Sequence, residues 1–135
     1  MEGGIGTMGK IKVLIVDDQE SVRQSLRTIL QLVGDIEVVG EADNGTVAVE
    51  QTKRLGPDVV LMDMKMSPSD GLSAAKSIRE HSESVGVVMI TMHDSDIARE
   101  RAIAAGVDVF VEKGIAMEDL VEKIRRVYRK RGQGS

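Results

Sequence analysis

No cysteine occurs among the 135 residues, which excludes disulfides, thiolate catalysis and cysteine-ligated zinc. Histidine is scarce: His81 and His93 are far apart in the chain, which argues against a histidine-rich metal site. No apolar run approaches the ~20 residues of a membrane span, and the opening MEGGIGTMGK has no apolar signal-peptide core. The expected location is the cytoplasm, with no membrane partner. There is no excess of positive charge either: 18 Lys and Arg against 22 Asp and Glu leave a formal charge of −4, which argues against a general affinity for nucleic acid. Internal repeats, low-complexity tracts and an interdomain linker are likewise missing.

What is present fits one soluble globular domain, since the chain is long enough for a real core and too short for two ordinary domains. The glycine-rich ends, 1–9 and 132–135, are expected to be flexible tails around a folded unit over 10–131. Five short runs rich in β-branched residues recur: IKVLIV (11–16), IEVVGEA (36–42), DVVLM (58–62), GVVMIT (86–91) and VDVFV (107–111). Three are nearly continuous, as strands covered on both faces of a parallel sheet should be.

Helical spacing fills the intervals. Val22, Leu26, Ile29, Leu30 and Val33 share one face. Ala48, Thr52 and Leu55 make a weaker stripe, as do Leu72, Ala75 and Ile78. The segment near 95–105 offers mainly Ala98, Ala102 and Ala105 with Ile97, so its anchoring should be light; Gly106 is placed to close it at C′. Met117, Leu120, Ile124 and Val127 mark the last helix. Strict βα alternation with short connections predicts an α/β fold, a (βα)5 doubly wound parallel five-stranded sheet with right-handed crossovers.

Ligands of such sheets bind beyond the carboxyl ends of the strands. The residues there are Asp17 and Asp18 after the first strand, Asp63 after the third, Thr91 after the fourth and Lys113 after the fifth. Carboxylates crowded at one mouth repel, and a hard cation with oxygen ligands relieves them; Mg²⁺ suits one or two carboxylates plus phosphate oxygens. A carboxylate is also a nucleophile toward phosphorus, and a lysine and a hydroxyl facing it neutralise and hydrogen-bond phosphoryl oxygens. Asp63, alone on a central strand, is the natural acceptor. Taken singly, each residue has a plainer reading: Asp17 and Asp18 as a helix cap pair, Thr91 in a turn, Lys113 and Gly114 at a solvated corner. Their convergence on one edge favours the chemical reading.

The stretches VLIVDDQESVRQSLRTIL, IEVVGEADNG, DVVLMDMKMSPSDGLSAAKSIRE, VVMITMHDSD and AGVDVFVEK resemble, in order and spacing, the receiver domain of two-component response regulators. IEVVGEADNG and ITMHDSD look most like the NarL/FixJ (LuxR-type) transcriptional regulators. The resemblance covers about residues 10–131. It implies a flavodoxin-like receiver fold with strand order 2-1-3-4-5. Asp63 would be the phosphoryl acceptor of a phosphorelay, charged by a sensor histidine kinase. Asp18, Asp63 and the backbone carbonyl of Lys65 would ligate Mg²⁺ or Mn²⁺, with Asp17 holding the metal through water. Thr91 and Lys113 would engage the phosphoryl group, and Phe110 would sit at the aromatic switch position. Lys65 and His93 would control access to the phosphoryl group.

The same resemblance implies a switch rather than an enzyme, with weak self-catalysed phosphorylation and dephosphorylation. The output would be DNA-binding transcription regulation by a domain absent from these residues. The last helix and its neighbours are the family's usual surface for a homodimer. The sequence departs from the pattern in four places: Ser67 intervenes before Pro68, Gln19 stands where histidine is common, Phe110 replaces tyrosine, and Gly114 replaces proline. Two other functions compete with this reading. A haloacid-dehalogenase-like phosphatase or phosphotransferase needs a second acid, which Asp63-Met64-Lys65 lacks. Dinucleotide or flavin binding needs a glycine-rich phosphate loop, where VDDQES puts acids. The basic RRVYRKR (125–131) reads as the solvated, favourably charged last turn of a helix, and Met62, Met64, Met66, Met89 and Met92 as gap-filling packing residues.

Overall fold

The computed structural model describes residues 9–66, 71–92 and 94–133. Five strands form a single parallel sheet in the order β2-β1-β3-β4-β5: β1 Ile11–Val16, β2 Ile36–Ala42, β3 Val59–Asp63, β4 Gly86–Thr91 and β5 Val109–Glu112. Five helices alternate with them: α1 Glu20–Gln31, α2 Gly45–Leu55, α3 Gly71–His81, α4 Asp96–Ala104 and α5 Met117–Tyr128, the last running on into a π-helical turn, Arg129–Gln133. The expected topology and order are both found.

Alternation along each strand divides the core in two. Leu14, Val16, Val60, Met62, Val87 and Met89 meet Ala48, Ala74, Ala75, Ile78 and Ala102, so α2, α3 and α4 cover one face. Ile11, Val13, Ile15, Val59, Leu61, Val88 and Ile90 meet Leu30, Leu120, Val121, Ile124 and Val127, so α1 and α5 cover the other. Both faces are apolar because both are covered, which is why β1, β3 and β4 read as nearly continuous hydrophobic runs.

Local chemistry sets the helix ends. Asn44 accepts the Val47 N–H at 2.9 Å and Ser95 accepts the Ala98 N–H at 3.1 Å, each side chain satisfying a donor that the first turn leaves open. Gly56 at φ 60° ends α2, and Gly106 at φ 91° follows α4, as the C′ reading required.

Three expectations shift. β3 begins at Val59 and ends on Asp63, because Asp58 is used otherwise: its carboxylate accepts the Lys12 N–H at 2.8 Å. β5 begins two residues later than the apolar run, since Val107 donates its N–H back to Ala102 of α4. On α1 only Leu30 is fully buried; Ile29 is 38% exposed, and Val33 lies beyond the helix. The outer members of that stripe, Val22, Leu26 and Ile29, instead line a groove of about 370 Å³ with Ile90, Ile115, Met117 and Leu120.

Candidate functional site

Strand register brings the site together. Val16 pairs with Met62 and Asp63 with Ile90, while Thr91 pairs with Glu112. The residues just past β1 and β5 and those ending β3 and β4 therefore share one rim, and α3 starts close against it. A Cβ on Gly71 would strike the Asp63 carbonyl, and Gly71 donates its N–H to Met64 O at 2.7 Å. Glycine there is a requirement of close approach.

Asp17 and Asp63 are buried, at 3% and 7% exposure, whereas Asp18 faces solvent. Carboxylate oxygens of the three lie within 4.8 Å of one another, and they are the candidate cation cluster among the described residues. Lys113 Nζ stands 3.6 Å from Asp63 Oδ2 and 3.8 Å from Asp17 Oδ2. At these distances it is a shared counter-charge with room for another group, not a closed hydrogen-bonded pair. Burial, and next the neighbouring Asp17, push the Asp63 carboxyl above its ordinary value; Lys113 and the Lys65 N–H act in the opposite direction, and Asp18 adds to the rise. The Lys65 N–H donates to Asp63 Oδ1 at 3.3 Å.

Asp17 combines the plain reading with the chemical one. Its Oδ1 accepts the Gln19 N–H at 2.9 Å and so shapes the entry to α1, but the helix cap is Gln19, which makes no side-chain capping bond. Thr91 is 4% exposed at the end of β4, and its carbonyl accepts the Lys113 N–H at 2.8 Å, fixing the Lys113 backbone to the rim. A cleft of about 440 Å³ opens over these groups, lined by Asp18, Asp63, Lys65, Thr91, Met92, Ala98 and Lys113 among others. Phe110 lies two register positions behind the Thr91–Glu112 pair at the rim, opposite Met89, half-buried with Arg99 over its ring. His93, Ser67, Pro68 and Asp70 fall outside the described residues.

Some chemistry escaped sequence reasoning. The Asp108 side chain, 3% exposed just before β5, accepts from Val87 N, Arg79 Nη2 and Arg131 Nε at 2.9, 3.0 and 2.8 Å. Arg131 and Arg125, which pairs with Asp35 at 2.9 and 3.0 Å, are thus structural ties rather than members of a solvated basic face. The partners lie 21 to 90 residues apart, so no local pattern announces them. Glu41, gripped by Arg23 at 2.9 Å and Arg27 at 2.7 Å, is another such case. Met92 is 65% exposed, unlike the other four methionines near the rim, because it points from the loop after β4 and not into either core.

Five parallel strands wound 2-1-3-4-5, with an acidic cluster and a lysine at their carboxyl ends, define a class of protein, and comparison with known proteins agrees. The model of the response regulator receiver domain matches residues 13–125, and the chain belongs to that family, the phosphoacceptor modules of two-component systems. It is 39% identical over 118 residues to the response regulator protein VraR of Staphylococcus saprophyticus, covering 87% of this chain and 56% of the relative. Against VraR of Staphylococcus aureus it is 38% identical over 119 residues. The chain spans about half the length of these relatives.

Among solved structures, the signal receiver domain of a NarL response regulator from Mycobacterium tuberculosis superposes with a TM-score of 0.84 at 31% identity, over 89% of this chain and 97% of that one. A LuxR-family DNA-binding response regulator from Staphylococcus aureus gives 0.81 at 30% identity, over 87% and 98%. The haloacid-dehalogenase-like alternative finds no support in these matches. Among the described residues, no helix is long and apolar enough to cross a membrane.

Proposed function

We propose that residues 10–131 form the receiver unit and that Asp63 is its phosphoryl acceptor, charged by a sensor histidine kinase. The observation that carries this is the buried Asp63 carboxylate facing Lys113 Nζ at 3.6 Å beside two further carboxylates. A carboxylate oxygen attacks phosphorus, the bond to the donor's leaving group breaks, and an acyl phosphate remains on Asp63. Lys113, already 3.6 Å from one carboxylate oxygen, pairs with the phosphoryl oxygens, and the Thr91 hydroxyl donates to one of them. The donor set suits Mg²⁺ or Mn²⁺: all ligands are oxygens, two carboxylates are buried and one is exposed. Asp18, Asp63 and the Lys65 carbonyl would hold the ion, with Asp17 acting through water. When bound, the ion offsets the negative charge of the carboxylates and the phosphoryl oxygens.

The domain then acts as a switch with weak self-catalysed gain and loss of phosphate, and its access is set by Lys65, which is exposed beside the acceptor, and by His93. In the whole protein it controls transcription through a DNA-binding partner domain, and α5 with its neighbours serves a homodimer. Incubation with a small phosphodonor and Mg²⁺ should add one phosphoryl group, labile to base and hydroxylamine, and Asp63→Ala should abolish it. Intact-mass spectrometry showing the adduct retained in that variant would overturn the assignment.

A further inference from the structure

Phe110 lacks the hydroxyl that would let an aromatic residue at this position report by hydrogen bonding, so whatever holds its ring must act on the ring itself. Arg99 does so: its guanidinium carbon lies 5.4 Å from the Phe110 ring centroid, within the range of cation–π attraction. Arg99 does not hang free. Its Nε and Nη2 donate to Asp94 Oδ1 and Oδ2 at 2.8 and 2.5 Å, a two-pronged pair that fixes the plane of the guanidinium. Asp94 belongs to the connection between β4 and α4, three residues past Thr91.

The helix carrying Arg99 is lightly anchored. α4 fully buries only Ala102, while Ile97 and Ile103 are 65% and 72% exposed. Phe110 and Ala98 pack against the same core as half-buried neighbours, and Ala98 also lines the cleft over Thr91.

We propose that the Asp94–Arg99 pair is a latch that holds the Phe110 ring in its half-exposed position and carries the state of the β4–α4 connection to it. Arg99 is a positioning residue that touches no reacting atom. Resting on the assignment of Asp63 as acceptor, the transmission runs in one direction: Thr91 moves toward a new acceptor on Asp63, the connection bearing Asp94 follows, Arg99 is drawn off the ring, and Phe110 turns inward. Attraction to a ring at an exposed site biases such an equilibrium only about two- to fivefold, which makes the latch easy to release.

Phe110 is the chain's one phenylalanine, so ring-¹³C phenylalanine labels a single site. In the free protein, Arg99→Gln and Asp94→Asn should each move the Phe110 ring signals toward the positions they take with beryllofluoride and Mg²⁺, raising the inward population about two- to fivefold. Arg99→Lys, which keeps a cation without the two-pronged pair, should fall between. Both partners are partly exposed, at 48% and 26% of their side chains, and the variants should fold as the parent does. Ring signals of free Arg99→Gln and Asp94→Asn that superimpose on the free parent would overturn the latch. The beryllofluoride adduct has its own ¹⁹F resonances: their absence would overturn the reading of Asp63 and the transmission with it, while their presence with an unmoved Phe110 ring would overturn the transmission alone.

Discussion

Replacing Asp63 with asparagine, which keeps the shape and the oxygen that accepts the Lys65 N–H, should raise the stability of the metal-free protein at neutral pH. Asp63 shares its rim with two carboxylates whose oxygens lie within 4.8 Å, and at an effective dielectric of about 20 a pair at that outer limit repels by about 3.5 kcal/mol. Lys113 at 3.6 Å returns about 4.6 kcal/mol on the same footing. Asp18 is exposed, so its share is screened, and the Coulomb terms come close to balance. Burial of the Asp63 charge then tips the total, leaving ionised Asp63 unfavourable by about 1–2 kcal/mol.

With an unfolding entropy of about 2.1 cal/mol/K per residue, that is about 4–7 °C in Tm for a chain of this length. The sign of the pH dependence follows from the raised folded-state pKa. Native protein holds the Asp63 proton more tightly than unfolded chain does. The parent's deficit is therefore present above the raised value and is gone below the free carboxylate value of about 4. Calorimetry of parent and Asp63→Asn from pH 3 to pH 7 in chelator should show a gap that opens with rising pH. Millimolar Mg²⁺ should close it by stabilising the parent alone through linkage. A gap of zero or opposite sign at pH 7, or one independent of pH, would refute the electrostatic account of this rim.

Asp108→Ala should be among the most damaging single changes, by about 3–5 kcal/mol, because it leaves Arg79, Arg131 and the Val87 N–H without their shared acceptor; urea titration reads it, and a loss under 1 kcal/mol would contradict the buried geometry. Gly71→Ala should lower stability by about 1–3 kcal/mol and slow phosphorylation as well, since its Cβ would meet the Asp63 carbonyl and the Met89 side chain; unchanged Tm and unchanged labelling rate would show that the rim yields freely.

Much of the fold was legible because its cause is local and periodic. Apolar runs alternating with helical stripes, and a glycine where α4 must turn, announce a doubly wound sheet, and the residues just past the runs name the rim. Asp17, Asp63, Thr91 and Lys113 come from four strand ends, and the sequence identifies them because parallel winding sends all those ends to one edge.

Tertiary structure decided what depends on register and distance. Only the paired strands put Lys113 between Asp17 and Asp63 and bury two of three carboxylates while exposing the third. The ion pairs of Asp108, Arg125 and Glu41 join residues 14 to 90 positions apart, a separation at which no spacing rule operates. Arg99 over Phe110 joins a helix to a strand through a contact neither segment encodes alone. Periodicity specifies which face a side chain takes; which charge it meets there is fixed only when separate segments pack, because ionic and ring contacts act over a few ångströms in space whatever the distance along the chain.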